Sequence, residues 1–358
     1  MNFRSLISSL LVVLVTNGKV LAEEMVPIVG RYVVIDNVCA WPNLKSLRDG
    51  TIVATIFNQP SHGRMEGDVE CWESEDGRFW QRRGVVAAHE PLANRMNVAV
   101  GLDRDSNLLV LASGWSLKHE GQEITLGQVL PFWSCRSANG SEWSVYRDAL
   151  PEPPQSVGPC IPFGDIFVAK DGSLRTSCYA RRLAAEGKTK APFCSWVLRS
   201  DDGNRWKLGS VIGPVHNETT LLHLHGDKWL AAARREYVEL FRSNDDGETW
   251  LSLGPVTERN EINGHLLKLA DGRLLLTFGR RLAGRFGIGM RLSSDEGLTW
   301  TPSKTLIGDL VSADCGYPSS IQRPDGTIVT GYYASGTAAH QRYHMGVVLW
   351  NVPNEITP

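Results

Sequence analysis

The residues of this chain with chemistry to offer stand just outside short apolar runs. Glu218 lies in Asn217-Glu218-Thr219 and Tyr317 in Gly316-Tyr317-Pro318-Ser319, and arginines follow other runs at 234, 235, 281 and 285. Carboxylates, imidazoles and phenols can carry protons to and from a reacting group, and guanidinium forks hold oxyanions through paired, charge-assisted hydrogen bonds. The polar loop from Pro60 to Asp68 adds His62, Glu66 and Asp68, and Trp41, Arg95 and His265 occupy comparable positions beside other runs. His89-Glu90 has the residue types of a metal site, but no third ligand follows at a sensible spacing, so no metal and no other cofactor is expected.

What must position these residues is a repeat. Ser243-Asn244-Asp245-Asp246-Gly247-Glu248-Thr249-Trp250 recurs as Ser293-Ser294-Asp295-Glu296-Gly297-Leu298-Thr299-Trp300. Weaker copies end in Gly77-Arg78-Phe79-Trp80, Gly140-Ser141-Glu142-Trp143 and Gly203-Asn204-Arg205-Trp206. Their glycines step by 63, 63, 44 and 50 residues. Polar oxygens before a Gly suit a tight turn between antiparallel strands, and the Trp ring covers the hairpin. Upstream of each box a second turn precedes an apolar run: Asp49-Gly50, Asp105-Ser106-Asn107, Asp171-Gly172, Gly226-Asp227, Asp271-Gly272 and Asp325-Gly326. There are thus six turn-plus-strand units but five boxes.

Two unpartnered strands account for the difference, one over 31–37 and one over 344–350. Their pairing would complete the last unit and close a ring without open sheet edges. The expected fold is all-β, a six-bladed β-propeller with four antiparallel strands per blade. Residues 23–358 would form one domain, with 181–188 the best short helix candidate. The innermost strand of each blade precedes its Asp-Gly turn. Its first residues therefore gather on one face around the axis, joined by the loops after each second strand. The Trp boxes lie at the opposite end and are read as structural turns.

The chain has 358 residues, a formal net charge of −2 and no basic stripe, which excludes nucleic acid as a partner. Residues 1–22 read as a signal peptide, with Arg4, an apolar stretch from Leu6 to Val15 and a small-residue cleavage site at Val20-Leu21-Ala22. No segment is long enough to span a bilayer. The expectation is a secreted or periplasmic monomer. Seven scattered cysteines leave at least one unpaired, and no disulfide is assigned.

Boxes of this form on a six-bladed ring resemble the sialidase (neuraminidase) superfamily, and the likeness covers essentially all of residues 23–358. The resemblance implies an exo-glycoside hydrolase in which a Tyr attacks the anomeric carbon, a Glu takes its proton, an Asp is acid/base, and arginines clamp a substrate carboxylate. It carries Tyr317 over as nucleophile, Glu218 as its base, and Arg234 and Arg285 as clamp arginines. A Tyr nucleophile is an exception among glycosidases and suits a substrate whose own carboxylate would repel a carboxylate. Two departures stand out. Ala40-Trp41-Pro42 replaces the family's Arg-Ile-Pro, and Pro60 to Asp68 replaces the usual acid/base loop, leaving Asp68, Glu66 and His62 as candidates. Arg64 or Arg95 could substitute for the lost arginine, and Trp41 could stack on a sugar. Arg235 and Arg281 are read as structural or solvated.

The implied substrate is a terminal acidic sugar of a glycan, sialic acid or a relative. A uronic-acid lyase or hydrolase built on His62 or Tyr317 is the second reading, and a binding propeller with Trp41 and Trp115 as platforms is the third.

Overall fold

Polar side chains make the turns that the sequence predicts. In all five boxes the leading Ser hydroxyl accepts from the Gly N–H at 2.8–2.9 Å. The five glycines hold φ between 74° and 85°, a region open to Gly at no steric cost. Each box Trp donates its indole N–H back to that Gly carbonyl at 3.0–3.2 Å. The Asp-Gly turns use the same device, with Asp49, Asp171, Asp271 and Asp325 each accepting from the backbone N–H two residues on.

The computed structural model describes residues 24–120, 123–152, 156–182 and 191–353, with the backbone of a small hairpin, Val15–Thr16 against Lys19–Val20. Apart from that hairpin, the expected signal peptide lies outside the described residues. So does most of the helix candidate over 181–188, of which Arg181 ends a strand. Among the described residues there is no α-helix, and none is long and apolar enough to cross a membrane.

The molecule is an all-β propeller. Four of its sheets have four strands each, and their inner strands are Ala40–Ser46, Asn217–His225, Glu261–Lys268 and Cys315–Gln322. Where the sequence predicts two further separate units, hydrogen bonding yields one eight-stranded sheet. Its two antiparallel halves join through a parallel pairing of Asn97–Leu102 with Ile161–Val168, Gly164 lying opposite Ala99. Apart from the Val15–Thr16/Lys19–Val20 hairpin, five sheets among the described residues therefore stand where six blades were expected. The predicted closure is present: His344–Trp350 pairs antiparallel with Ile28–Asp36, from His344 opposite Asp36 to Trp350 opposite Ile28.

Burial explains the apolar runs. Ile52–Phe57, Ile328–Ala334 and His344–Trp350 are buried at every residue, because these middle strands are covered on both faces. The core fills the spaces between neighbouring sheets. Leu44, Ile52 and Ile56 of the first sheet pack with Val329, Val347 and Leu349 of the closing one. Outer strands such as Gln81–Ala87 begin exposed and polar. All seven cysteines are buried and unbridged, and burial pushes the Cys71 and Cys135 thiols up to about 12, which makes them inert small apolar groups.

Trp206 is 1% exposed, the most enclosed of the box tryptophans. Trp206→Ala removes both its ring and its bond to Gly203, and is expected to destabilise the fold by about 3–5 kcal/mol in equilibrium denaturation.

Candidate active site

The inner strands do not begin as regular ladder. Register shifts fall between Ala40 and Asn43, Asn217 and Thr219, Ile262 and His265, and Gly316 and Ser319. Such bulges re-aim side chains. Four non-glycine residues there adopt positive φ, Ala40 at 56°, Trp41 at 47°, Asn263 at 59° and Tyr317 at 46°. For bulky Trp and Tyr this is an outlier of about 1–3 kcal/mol, of the kind that collects at functional sites. Gly316, at φ 117°, makes the bend before Tyr317 possible, and a Cβ there would meet Gly279 of the neighbouring sheet at 3.2 Å.

These bulged strand ends surround a pocket of about 250 Å³. Trp41, Asn97, Phe163, Glu218, Asn263 and Tyr317 line it, each from a different inner strand, and His62 and Trp115 join from loop and strand. Tyr317 donates its phenolic hydrogen to Glu218 Oε1 at 2.5 Å. Arg234 Nη1 donates to Tyr317 at 3.1 Å and also binds Glu218 Oε2. Asn263 Nδ2 donates to the same Oε2 at 2.6 Å. Burial and the Glu218 carboxylate push the Tyr317 phenol above its ordinary range, against the pull of Arg234 and Arg281. The phenol is therefore neutral at physiological pH, and any attack by its oxygen must hand the proton to Glu218.

His62 lines the same pocket and meets the Trp41 ring edge-on, with centroids 4.8 Å apart. Its Nδ1 lies 3.4 Å from Asp314 Oδ1. The loop carrying it is braced from behind. Asn94 Nδ2 donates to the carbonyls of Gly63 and Arg64 at 3.2 and 3.1 Å, and the Arg95 N–H donates to Gly67 at 2.8 Å.

Of the residues singled out in the sequence, Tyr317, Glu218, Arg234, His62 and Trp41 meet at one place. Three do not. Asp68 forms no part of the pocket wall, because its Oδ1 holds the backbone N–H and ring Nδ1 of His89, each at 2.8 Å. Arg285 sits at a hairpin tip opposite Leu282 and is likewise absent from the wall. Arg95 is buried beneath the surface and bound bidentately to Glu90 at 2.6 and 3.1 Å. It also donates to Pro131 O at 2.7 Å and stacks 3.7 Å over Trp133, so it has no fork left for a ligand.

Sequence reasoning did not name Asn263 or Asp314. Asn263, next to Gly264, could have been found as an αL-tolerant residue at the start of an inner strand. Arg281, read as structural or solvated, donates to Cys315 O at 3.1 Å and to Tyr333 at 3.2 Å, and its guanidinium lies 5.8 Å from the Tyr317 ring centre. Asp314 had no signal in its sequence context.

Arg95→Met removes the bonds to Glu90 and Pro131 O and the stacking on Trp133, while Glu90, 39% exposed, turns to water. It is expected to cost about 1–3 kcal/mol in thermal or denaturant unfolding while leaving ligand affinity of the folded fraction unchanged.

Residues 50–330 match the BNR repeat-like domain. No curated protein has a matching sequence. Among solved structures, a Dyadobacter fermentans protein of unknown function superposes with a TM-score of 0.74 at 20% identity, over 91% of this chain and 99% of its own. Trypanosoma rangeli sialidase in complex with 2,3-difluorosialic acid gives 0.65 at 16% identity over 93% of this chain. The match covers 55% of that sialidase, so this chain spans about half its length. Penicillium chrysogenum α-L-arabinanase complexed with arabinobiose gives 0.57 at 12% identity, over 91% and 98% of the two chains. At these identities the likeness is one of fold, whereas the domain match covers most of the sequence. The chain belongs to the BNR repeat-like domain family.

Proposed function

We propose that this protein is a glycoside hydrolase that releases a terminal acidic sugar, through a covalent intermediate on Tyr317. The observation that carries the reading is the hydrogen bond between Tyr317 and Glu218 in the wall of the pocket, with Arg234 bound to both of them. Glu218 has both oxygens committed, one to Tyr317 and the other to Arg234 and Asn263, which suits a base aimed at the phenol better than a free nucleophile. Arg234 is placed to stabilise the negative charge that grows on the phenolic oxygen. Arg234 and Arg281 beside Tyr317 supply the positive field for a substrate carboxylate, in place of the pair expected from Arg234 and Arg285. The architecture on this reading is a six-bladed ring, counting the eight-stranded sheet as two blades joined by their inner strands. The leader-like residues 1–22 support export.

Similarity to a sialidase trapped as a covalent intermediate with 2,3-difluorosialic acid supports the mechanism. A fluorinated sialyl or uronyl fluoride is expected to leave a sugar adduct on the tryptic peptide containing Tyr317, detected by mass spectrometry. Tyr317→Phe should carry none, and Glu218→Gln should slow turnover of the matching aryl glycoside by about 10²–10⁴-fold. An adduct on Glu218 would make that carboxylate the nucleophile and Tyr317 its partner.

The second reading, a uronide lyase, draws on Trp41 standing where the family has an arginine and on His62 and Tyr317 lining one pocket. Its product would absorb in the ultraviolet and form without any adduct.

A further inference from the structure

We propose that Asp314 is the positioning residue for His62, and that this pair, rather than Asp68, moves the proton at the leaving oxygen. The proposal rests on the glycosidase reading.

Asp314 stands three residues before Tyr317, at the entrance to the same inner strand. Its carboxylate is fixed from three sides. Oδ1 accepts from the Tyr333 phenol at 2.6 Å and faces His62 Nδ1 at 3.4 Å, and Oδ2 takes the Tyr343 phenol. The backbone agrees with that placement, since Asp314 N–H donates to Ser312 Oγ at 3.1 Å and Ser335 N–H to Asp314 O at 3.0 Å. Hydrogen bonds from His62, Tyr333 and Tyr343 outweigh partial burial and hold the Asp314 carboxyl well below the usual range. The other titratable groups around it are Arg281, which donates to Tyr333, and the buried Cys39 thiol, which is pushed up. Asp314 is thus anionic across the working pH range, and two phenols hold it still.

A fixed anion beside Nδ1 keeps a hydrogen on that nitrogen and leaves Nε2 as the atom that exchanges protons. Trp41 sets the tilt of the ring, and the bracing by Asn94 keeps the loop in place. Asp68 stands apart from this pair, outside the pocket wall and with Oδ1 holding the backbone N–H and ring of His89.

The steps balance. As the Tyr317 oxygen bonds to the anomeric carbon, its proton passes to Glu218. The glycosidic C–O bond breaks, and the leaving oxygen takes the Nε2 proton of the His62 imidazolium. In the second half, neutral His62 takes a proton from water, whose oxygen bonds to the anomeric carbon. The C–O bond to Tyr317 breaks, and Glu218 returns its proton to the phenolate.

The test is leaving-group dependence in Asp314→Asn, measured on one sugar carrying either a methylumbelliferyl or a dinitrophenyl aglycone. The dinitrophenolate leaves without help, so its release should change less than about 3-fold. Release of the poorer leaving group should fall by about 10²-fold. Asp314→Glu should restore part of the rate. His62→Gln should show the same leaving-group split, which keeps the test available if Asp314→Asn folds poorly. Equal losses on both substrates, no recovery in Asp314→Glu, or a leaving-group split in Asp68→Asn instead would overturn the proposal. Unchanged turnover in Tyr317→Phe would mark failure of the underlying mechanism rather than of the Asp314 assignment.

Discussion

One carboxylate organises the functional face. Glu218 gathers a phenol, a guanidinium and an amide that arrive from three other strands, Cys315–Gln322, Lys228–Arg234 and Glu261–Lys268. A charge buried this deeply is tolerated only when hydrogen-bond donors compensate it, and here three donors share its two oxygens. Once the three strands are committed to Glu218, the relative placement of their sheets at the pocket is settled. The pocket is in this sense a product of the ion pair as much as of the ring.

The strain at Trp41, Asn263 and Tyr317 has the same origin. A regular strand would send alternate side chains into the inter-sheet core and the rest into the next sheet, and none would reach across the axis. A bulge with one left-handed residue turns a single side chain out of that alternation. The cost is local, and deep burial of the strands that follow holds it in place, as the fully buried run Ile328–Ala334 shows behind Tyr317.

Much of this was legible in the residues. The boxes and Asp-Gly turns gave the strands, since their polar oxygens and glycines act within a few positions of one another. The lone stretches over 31–37 and 344–350 gave the closure. Tyr317, Glu218 and Arg234 were found because they flank inner-strand runs in a pattern shared with a known superfamily. What was not legible depends on side-chain reach. Arg95 looks like a rim cation, and only the structure shows its fork filled by Glu90 and a backbone carbonyl. Arg285 and Arg281 differ by four residues, and hairpin geometry alone decides which of them approaches Tyr317. The merging of two sheets into one also rests on a parallel edge contact, for which periodicity has no sign.

The strand that closes the ring has a consequence for how the molecule is made. A ribosome makes Ile28–Asp36 long before its partner, the stretch from His344 to Trp350. Until then the first strand has no ladder, and the last sheet, with Tyr317 on its inner strand, cannot be assembled. Folding of this sheet is thereby deferred until His344–Trp350 has been made, while sheets built only from strands between them have all their partners earlier.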